Sequence, residues 1–209
     1  MKYADIGMAK NQLVALAYSD AMQGVDDAWG DYPAMPPMLP SGSDPAARLL
    51  TWSGSPLVAG EDMIFSFSGC YRRYHAPLCR TIFLGEVSVE KRCAEAALIE
   101  SLDAGIAAAT AGNRVSDVAK ALAGPLGDGN DIRKGFGGLI GVAYPPSMAD
   151  DVISLNADSE AILEPNMTFH VCPTLSVSGA NVGIGQSIRI AEDGAAEVFG
   201  GVSPKFATK

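Results

Sequence analysis

The chain is poor in the residues that define several classes of protein. Among its 209 residues there are only four cysteines and two histidines. No two of the cysteines form a C-x-x-C pair; they are Cys70, Cys79, Cys93 and Cys172. Structural zinc sites use closely spaced cysteines, and disulfide-stabilised domains have a higher cysteine density. The pattern therefore predicts thiols in a reducing compartment, and we expect a cytoplasmic protein.

Long apolar runs and an excess of basic residues are also missing. No run approaches the roughly 18 apolar residues that a membrane span needs, and residues 1–6 lack the apolar region of a secretory signal. The formal net charge of −9 would repel a nucleic-acid backbone or an anionic membrane. With 48% hydrophobic and 19% charged residues, the composition is that of a globular protein. We expect no nucleic-acid or membrane partner, and a small molecule as the ligand.

Helix and strand signals alternate along the chain and predict an α+β fold. Helices are predicted from Ala9 to Met22, from an N-cap at Ser88 to about Ala111, and from an N-cap at Ser116 to about Ala123. Strands are predicted at 63–68, 78–84, 139–144, 167–175 and 184–191, with an edge strand at 198–199. A helix followed by strands occurs twice, which indicates internal pseudo-two-fold symmetry.

A dense polar cluster, residues 69–81, lies between two of the apolar runs. It brings arginines, a histidine, tyrosines and two cysteines together around a turn. Strands that bear such clusters usually do so because a site needs them. Arg72 and Arg73 are adjacent and point to opposite faces, so we expect both to be solvated.

Taken in order, several segments resemble the catalytic domain of the creatinase and aminopeptidase P superfamily, and its ectoine hydrolase branch in particular. These segments are 30–34, 39–42, 50–52, 69–75, 77–78, 80–81, 140–146 and 166–170. The resemblance implies a single creatinase-like domain over residues 1–209 with the pita-bread fold, an α+β architecture with internal pseudo-two-fold symmetry. It also implies that the N-terminal domain of full-length relatives is absent here. Because relatives form homodimers, a homodimer is expected.

The peptidases of this superfamily hold two divalent ions with two aspartates, a histidine and two glutamates, a ligand set that suits manganese or a similar hard cation. Aligned by the resemblance, none of those five positions retains its ligand and none is a carboxylate; they are Phe67, Pro77, Gly138, Cys172 and Gln186. We therefore expect neither a metal nor another cofactor.

The creatinase and ectoine hydrolase branch cleaves C–N bonds of small molecules without metals. In that branch a histidine stands just before the Leu-Thr-Trp segment, where this chain has Leu49. A glutamate near the C-terminal end of the domain corresponds to Gln186. Leucine cannot move a proton, and glutamine is no general base at neutral pH. Two functions remain open: a metal-independent C–N hydrolase acting on a small zwitterion, or an inactive relative that binds a similar ligand or acts as a structural partner.

In the hydrolase interpretation the reaction centre is formed by His75, His170 and Gln186, and the substrate is held by Trp52, Tyr74, Arg80 and Tyr144. Five of these residues also have a structural interpretation. Either histidine can be a core residue with its ring satisfied, and Arg80 can belong to an internal ion pair. Trp52 and Tyr144 suit a hydrophobic core as well as a pocket wall. Asp150 and Asp151 follow the Tyr-Pro-Pro turn, where exposed carboxylates are the simpler interpretation.

Overall fold

A computed structural model of the chain describes residues 3–41, 51–127, 135–147 and 153–209. Leu49, Asp150 and Asp151 lie outside the described residues. The helices are α1 (Lys10–Gln23), α2 (Val89–Ala108) and α3 (Val115–Ala123), followed by a 3-10 turn at Gly124–Leu126. The strands are β1 (Asp62–Tyr71), β2 (Tyr74–Phe83), β3 (Gly137–Leu139), β4 (Thr168–Val171), β5 (Thr174–Val177), β6 (Ala180–Arg189), β7 (Glu197–Val198) and β8 (Ala207–Thr208).

All of these strands belong to one sheet, whose order is β1-β2-β6-β4-β3. β5 and β7 also pair with β6, and β8 pairs in parallel with β2. The other strand pairs are antiparallel. The predicted α+β class is confirmed, since runs of helices alternate with runs of strands and the sheet is mostly antiparallel.

The three helices pack against one side of the sheet, which we call the helix face. Residues of β4 and β6 on this face form a buried cluster with α2 and α3: Phe169, Val171, Ile184 and Ile188 meet Leu98, Leu102 and Leu122. A second buried cluster joins α1 to the first hairpin, with Leu13 and Val14 against Met63 and Ile82. The opposite side of the sheet is called the second face below.

Most element predictions agree with the structure, and the differences have local causes. Ser88 is the N-cap of α2, and its side chain accepts a hydrogen bond from the Lys91 amide. Ser116 is not an N-cap, because α3 already begins at Val115 after Arg114. The strand predicted at 167–175 is divided into β4 and β5 at Cys172 and Pro173, where proline cannot donate to a ladder. The strand predicted at 139–144 keeps only its first residue in β3.

Within the described ranges, no helix is both long enough and apolar enough to cross a bilayer.

Helices α2 and α3 approach most closely at Gly105. An ideal Cβ placed there would lie 2.5 Å from Leu122 Cδ2 and 2.6 Å from Leu122 Cγ. Leu122 is fully buried, so its side chain has no free volume to retreat into. The absence of a side chain at Gly105 is therefore required for this helix contact.

We predict that Gly105→Ala destabilises the chain, although alanine is the better helix former by about 1 kcal/mol. Overpacking against Leu122 outweighs that gain and lowers the free energy of unfolding by about 1 to 3 kcal/mol. Urea unfolding followed by circular dichroism measures the change. In a Leu122→Ala background the same substitution restores or preserves stability, because the space is then available. An equal loss in both backgrounds would show that the Leu122 contact is not the cause.

Candidate functional site

The polar cluster begins at the turn between β1 and β2. Tyr71 pairs with Tyr74, so the turn consists of Arg72 and Arg73 alone. Both residues have positive φ, 47° and 70°. Two-residue hairpins of type I′ need positive φ at both central positions, and Asn-Gly usually supplies it.

Arg73 is buried, which corrects the expectation that both arginines are solvated. Its guanidinium donates to the carbonyl oxygen of Tyr32 and twice to that of Ala143, at 3.1 and 2.6 Å. The Cζ atom lies 4.1 Å from the ring centroid of Tyr32 and 4.8 Å from that of Tyr144. Asp31 Oδ1 lies 3.6 Å from Arg73 Nη1. Arg73 therefore joins the hairpin turn to residues 31–32 and 143–144, and Tyr144 is an exposed partner of that arginine.

His75 lies next to this arrangement, and both ring nitrogens contact backbone. The Ala34 amide donates to Nε2 at 2.9 Å, and Nδ1 is 3.3 Å from the Gly141 carbonyl oxygen. Because Nε2 accepts, the proton of the neutral ring is on Nδ1. Burial lowers the pKa of His75; the Gly141 contact acts in the opposite direction and is the smaller effect. The ring is thus a neutral connector between three segments, and its catalytic role stays a prediction.

A cleft of about 640 Å³ opens beside the turn, bounded by the hairpin and by the C-terminal end of α1. Its walls are mostly apolar and include Trp29, Tyr71, Tyr74 and Phe199, with Asp20 as an acidic lining residue. That size falls within the usual range for small-molecule pockets. Of the residues predicted to form the site, Tyr74 and His75 border this cleft. Trp52, Arg80, Tyr144, His170 and Gln186 do not.

Arg80 is buried on the helix face, and its donors are all engaged within the chain. Nε donates to the Ser203 carbonyl oxygen, and Nη1 donates to the carbonyl oxygens of Cys79 and Gly185. Nη2 donates to Gln186 Oε1 and to the Val202 carbonyl oxygen. These five hydrogen bonds use the five N–H groups of a guanidinium. Burial lowers the pKa of Arg80. The fork has no donor left for a substrate carboxylate, and its partners are neutral oxygens rather than an ion-pair carboxylate.

Both polar atoms of the Gln186 side chain are also hydrogen-bonded within the chain. Its Oε1 accepts from Arg80, and its Nε2 donates to the Val202 carbonyl oxygen at 3.0 Å. It pairs with Val171, so it shares the helix face with that core residue. His170 pairs with Ser187 and so has the opposite orientation, because successive residues of a strand alternate. The structure therefore does not bring His75, His170 and Gln186 together at one reaction centre.

On the second face, His170 meets two thiols around a glycine. An ideal Cβ at Gly185 would lie 2.6 Å from His170 Nε2, 2.8 Å from Cys79 Cβ and 2.9 Å from Cys172 Sγ. His170 Nε2 is buried and has no hydrogen-bond partner in the part of the chain that the structure describes. Only glycine leaves room for these three side chains to converge. The two-residue spacing of His170 and Cys172 was the signal in the sequence, whereas the pairing of Cys79 with Gly185 brings Cys79 to the same face.

The electrostatics of this cluster favour neutral groups. Burial, and to a smaller extent the charge of Arg80, lower the pKa of His170 to about 4. The hydrogen bond with Cys172, together with burial, raises the pKa of the Cys79 thiol well above its usual value. A thiolate–imidazolium pair is therefore disfavoured at neutral pH, and Cys79 lacks the lowered pKa of a cysteine nucleophile. His170 is therefore a neutral imidazole whose Nε2 has no hydrogen-bond partner among the described residues.

The positions that resemblance assigns to metal ligands do not fit a pair of divalent ions. Phe67 pairs with Leu78, which places it on the face opposite to Pro77. Gln186 is on the face opposite to Cys172 by the same alternation. Among the described residues no group of three or more His, Cys, Asp or Glu side chains is arranged to hold a metal ion. Hard cations prefer carboxylate oxygens, and the cluster around Gly185 offers thiols and an imidazole instead.

Comparison with known proteins places this arrangement in a family. The family model described as metallopeptidase family M24 matches residues 1–196. Ectoine hydrolase from Halomonas elongata is 42% identical over 197 residues, which cover 90% of this chain and 49% of that protein. The chain thus spans about half the length of that relative.

Solved structures agree in fold. The Xaa-Pro dipeptidase from Bacillus anthracis superposes with a TM-score of 0.83 at 20% identity, covering 100% of this chain and 57% of that one. The X-Pro aminopeptidase from Thermotoga maritima gives a TM-score of 0.82 at 19% identity, covering 98% and 56% respectively. The chain therefore belongs to metallopeptidase family M24 and has the pita-bread fold of that family.

Proposed function

We propose that the chain is the M24 domain of a hydrolase that cleaves a C–N bond in a small zwitterion of the ectoine type, without a divalent metal. The observation that supports this most directly is the 42% identity to ectoine hydrolase over 90% of the chain. In the reaction water adds across the C–N bond, so that carbon gains the hydroxyl group and nitrogen gains the proton.

The donor chemistry of the second face supports the metal-independent form of this proposal. Two divalent ions held close together need several carboxylates to balance their charge. The cluster around Gly185 presents His170, Cys79 and Cys172, and the Cys79 thiol is held in its protonated form. We therefore assign water activation to protein groups rather than to metal-bound hydroxide.

His170 is the residue that we assign to proton transfer. The other histidine of the chain, His75, has both nitrogens in contact with backbone, whereas His170 Nε2 has no partner among the described residues. A neutral imidazole in a buried site can exchange a proton with water or a bound molecule. The alternative is an inactive relative that binds the same ligand, which the engagement of Gln186 by Arg80 and Val202 favours.

We predict that the purified chain converts ectoine to ring-opened product, and that the rate is the same in EDTA as in added Mn²⁺. Proton NMR of the reaction mixture measures conversion directly. Activity that appears only with Mn²⁺ would contradict metal independence. Binding by isothermal titration without any conversion would support the inactive alternative and overturn the hydrolase proposal.

A second prediction concerns His170 itself. His170→Gln keeps a polar side chain of similar reach but cannot carry a proton, so the rate of conversion is expected to fall by about 100-fold or more. Lys120→Gln, on the exposed side of α3, is the control and is expected to retain the full rate. A rate within a few-fold of the parent in both variants would remove His170 from the mechanism.

The pH dependence of stability tests the neutral state of His170 independently of turnover. Its pKa is about 4 in the folded chain, against 6.5 when unperturbed, so the unfolded chain binds more protons between these values. The free energy of unfolding is therefore expected to decrease as pH falls from about 6.5 to about 4, by at most about 3 kcal/mol from this residue. The difference in the free energy of unfolding between the parent and His170→Gln, measured across that pH range, isolates the contribution of His170. A difference that does not change with pH would show that His170 titrates normally.

A further inference from the structure

The turn between β1 and β2 uses two residues that are poorly suited to its backbone. Arg72 and Arg73 have φ values of 47° and 70°. For residues other than glycine, asparagine and aspartate, positive φ is uncommon, and neighbouring positions of this kind persist where surrounding contacts hold them. Two arginines in place of Asn-Gly indicate that their side chains are needed at this point.

The structure accounts for Arg73 but not for Arg72. The donors of Arg73 bond to Tyr32 and Ala143, and Arg80 has all five of its own donors engaged. Arg72 is exposed, and its contacts within the described ranges are with two aromatic rings. Its Cζ lies 5.6 Å from the ring centroid of Trp29 and 5.3 Å from that of Tyr71. The guanidinium is thus positioned by stacking while its N–H groups remain available to a ligand.

Both rings that position Arg72 are walls of the cleft beside the hairpin. The cleft is bounded mostly by apolar side chains, with Tyr74 and Phe199 as further aromatic walls and Asp20 as an acidic lining residue. A planar guanidinium binds a carboxylate through two parallel hydrogen bonds. Aromatic faces and a carboxylate favour an organic cation. The cleft therefore has an exposed guanidinium next to two of its aromatic walls and an acidic residue in its lining.

We propose that this cleft binds a compact zwitterion, with its carboxylate on Arg72, its body against Trp29, Tyr71 and Tyr74, and its cationic end toward Asp20. The cleft is bounded by α1 on the helix side of the hairpin, whereas His170, Cys79 and Cys172 do not border it. It is a ligand site separate from the cluster around Gly185. Binding in this cleft does not require that the chain hydrolyse its ligand.

Isothermal titration with glycine betaine, ectoine and choline tests the proposal. Betaine and choline share the trimethylammonium group, and only betaine has a carboxylate. We expect betaine and ectoine to bind, and choline to bind at least about tenfold more weakly than betaine, which corresponds to the loss of one charge-assisted contact. Arg72→Asn, which suits the positive φ of the turn, is expected to weaken betaine and ectoine by a similar factor and to leave choline unchanged.

The control variant is Arg114→Asn, which removes one guanidinium at the N-cap of α3, where asparagine is also well tolerated. It is expected to bind all three compounds as the parent does, which separates a local effect of Arg72 from a change in net charge. Circular dichroism confirms that both variants are folded. Equal affinity of the parent and Arg72→Asn for betaine, or no binding of either zwitterion by the folded parent, would overturn the proposal. Betaine has no ring for the proposed reaction to open, so the betaine measurements fail or succeed independently of the proposed function; ectoine, the proposed substrate, is compared only between the parent and Arg72→Asn.

Discussion

The pairing of β2 with β6 at the centre of the sheet is the contact on which the rest of the structure depends. It joins the first hairpin to the C-terminal strands, and its register pairs Cys79 with Gly185 and Arg80 with Ile184. Hydrogen bonds from side chains to the backbone extend this short ladder at both of its ends. Ser187 Oγ donates to the Pro77 carbonyl oxygen at 2.7 Å, and Thr81 Oγ1 exchanges two hydrogen bonds with the backbone of Gly183. Because these groups are buried, loss of any one leaves an unpaired polar atom, and the register is strongly specified.

This register sorts the polar residues of the two strands into different roles. On the helix face, Arg80 and Gln186 use their donors and acceptors to hold Val202 and Ser203, which attaches the C-terminal segment to the sheet. On the second face, Cys79 and Gly185 create the space that His170 and Cys172 enter. A shift of one residue would exchange these roles, because side chains alternate across a strand. The strand register therefore decides which polar side chains lie on each face of the sheet.

Membership of a metallopeptidase family and a donor set without the carboxylates that hard cations prefer are compatible in physical terms. The fold depends on apolar contacts between the helices and one face of the sheet, such as those of Phe169, Ile184 and Leu98. Cys79, His170 and Cys172 on the other face are not part of that core cluster, so the chemistry at these positions can change while the fold is retained. The relationship to ectoine hydrolase is consistent with this separation, since it extends over most of the chain.

Local patterns were sufficient to predict the elements but not the site. Alternating and periodic apolar residues, with the cap at Ser88, determined the helices and the main strands, because these depend on short-range sequence. The ordered resemblance of short segments determined the family. Which face each polar residue occupies was decided by the register of β2 and β6, a contact between residues about one hundred positions apart. The same holds for Arg73, whose partners Tyr32 and Ala143 are distant in the chain and remove it from solvent. Sequence by itself determined the fold and the kind of residues available, while only the tertiary structure decided which of them remain free for a ligand, because hydrogen-bond partners are set by proximity in space.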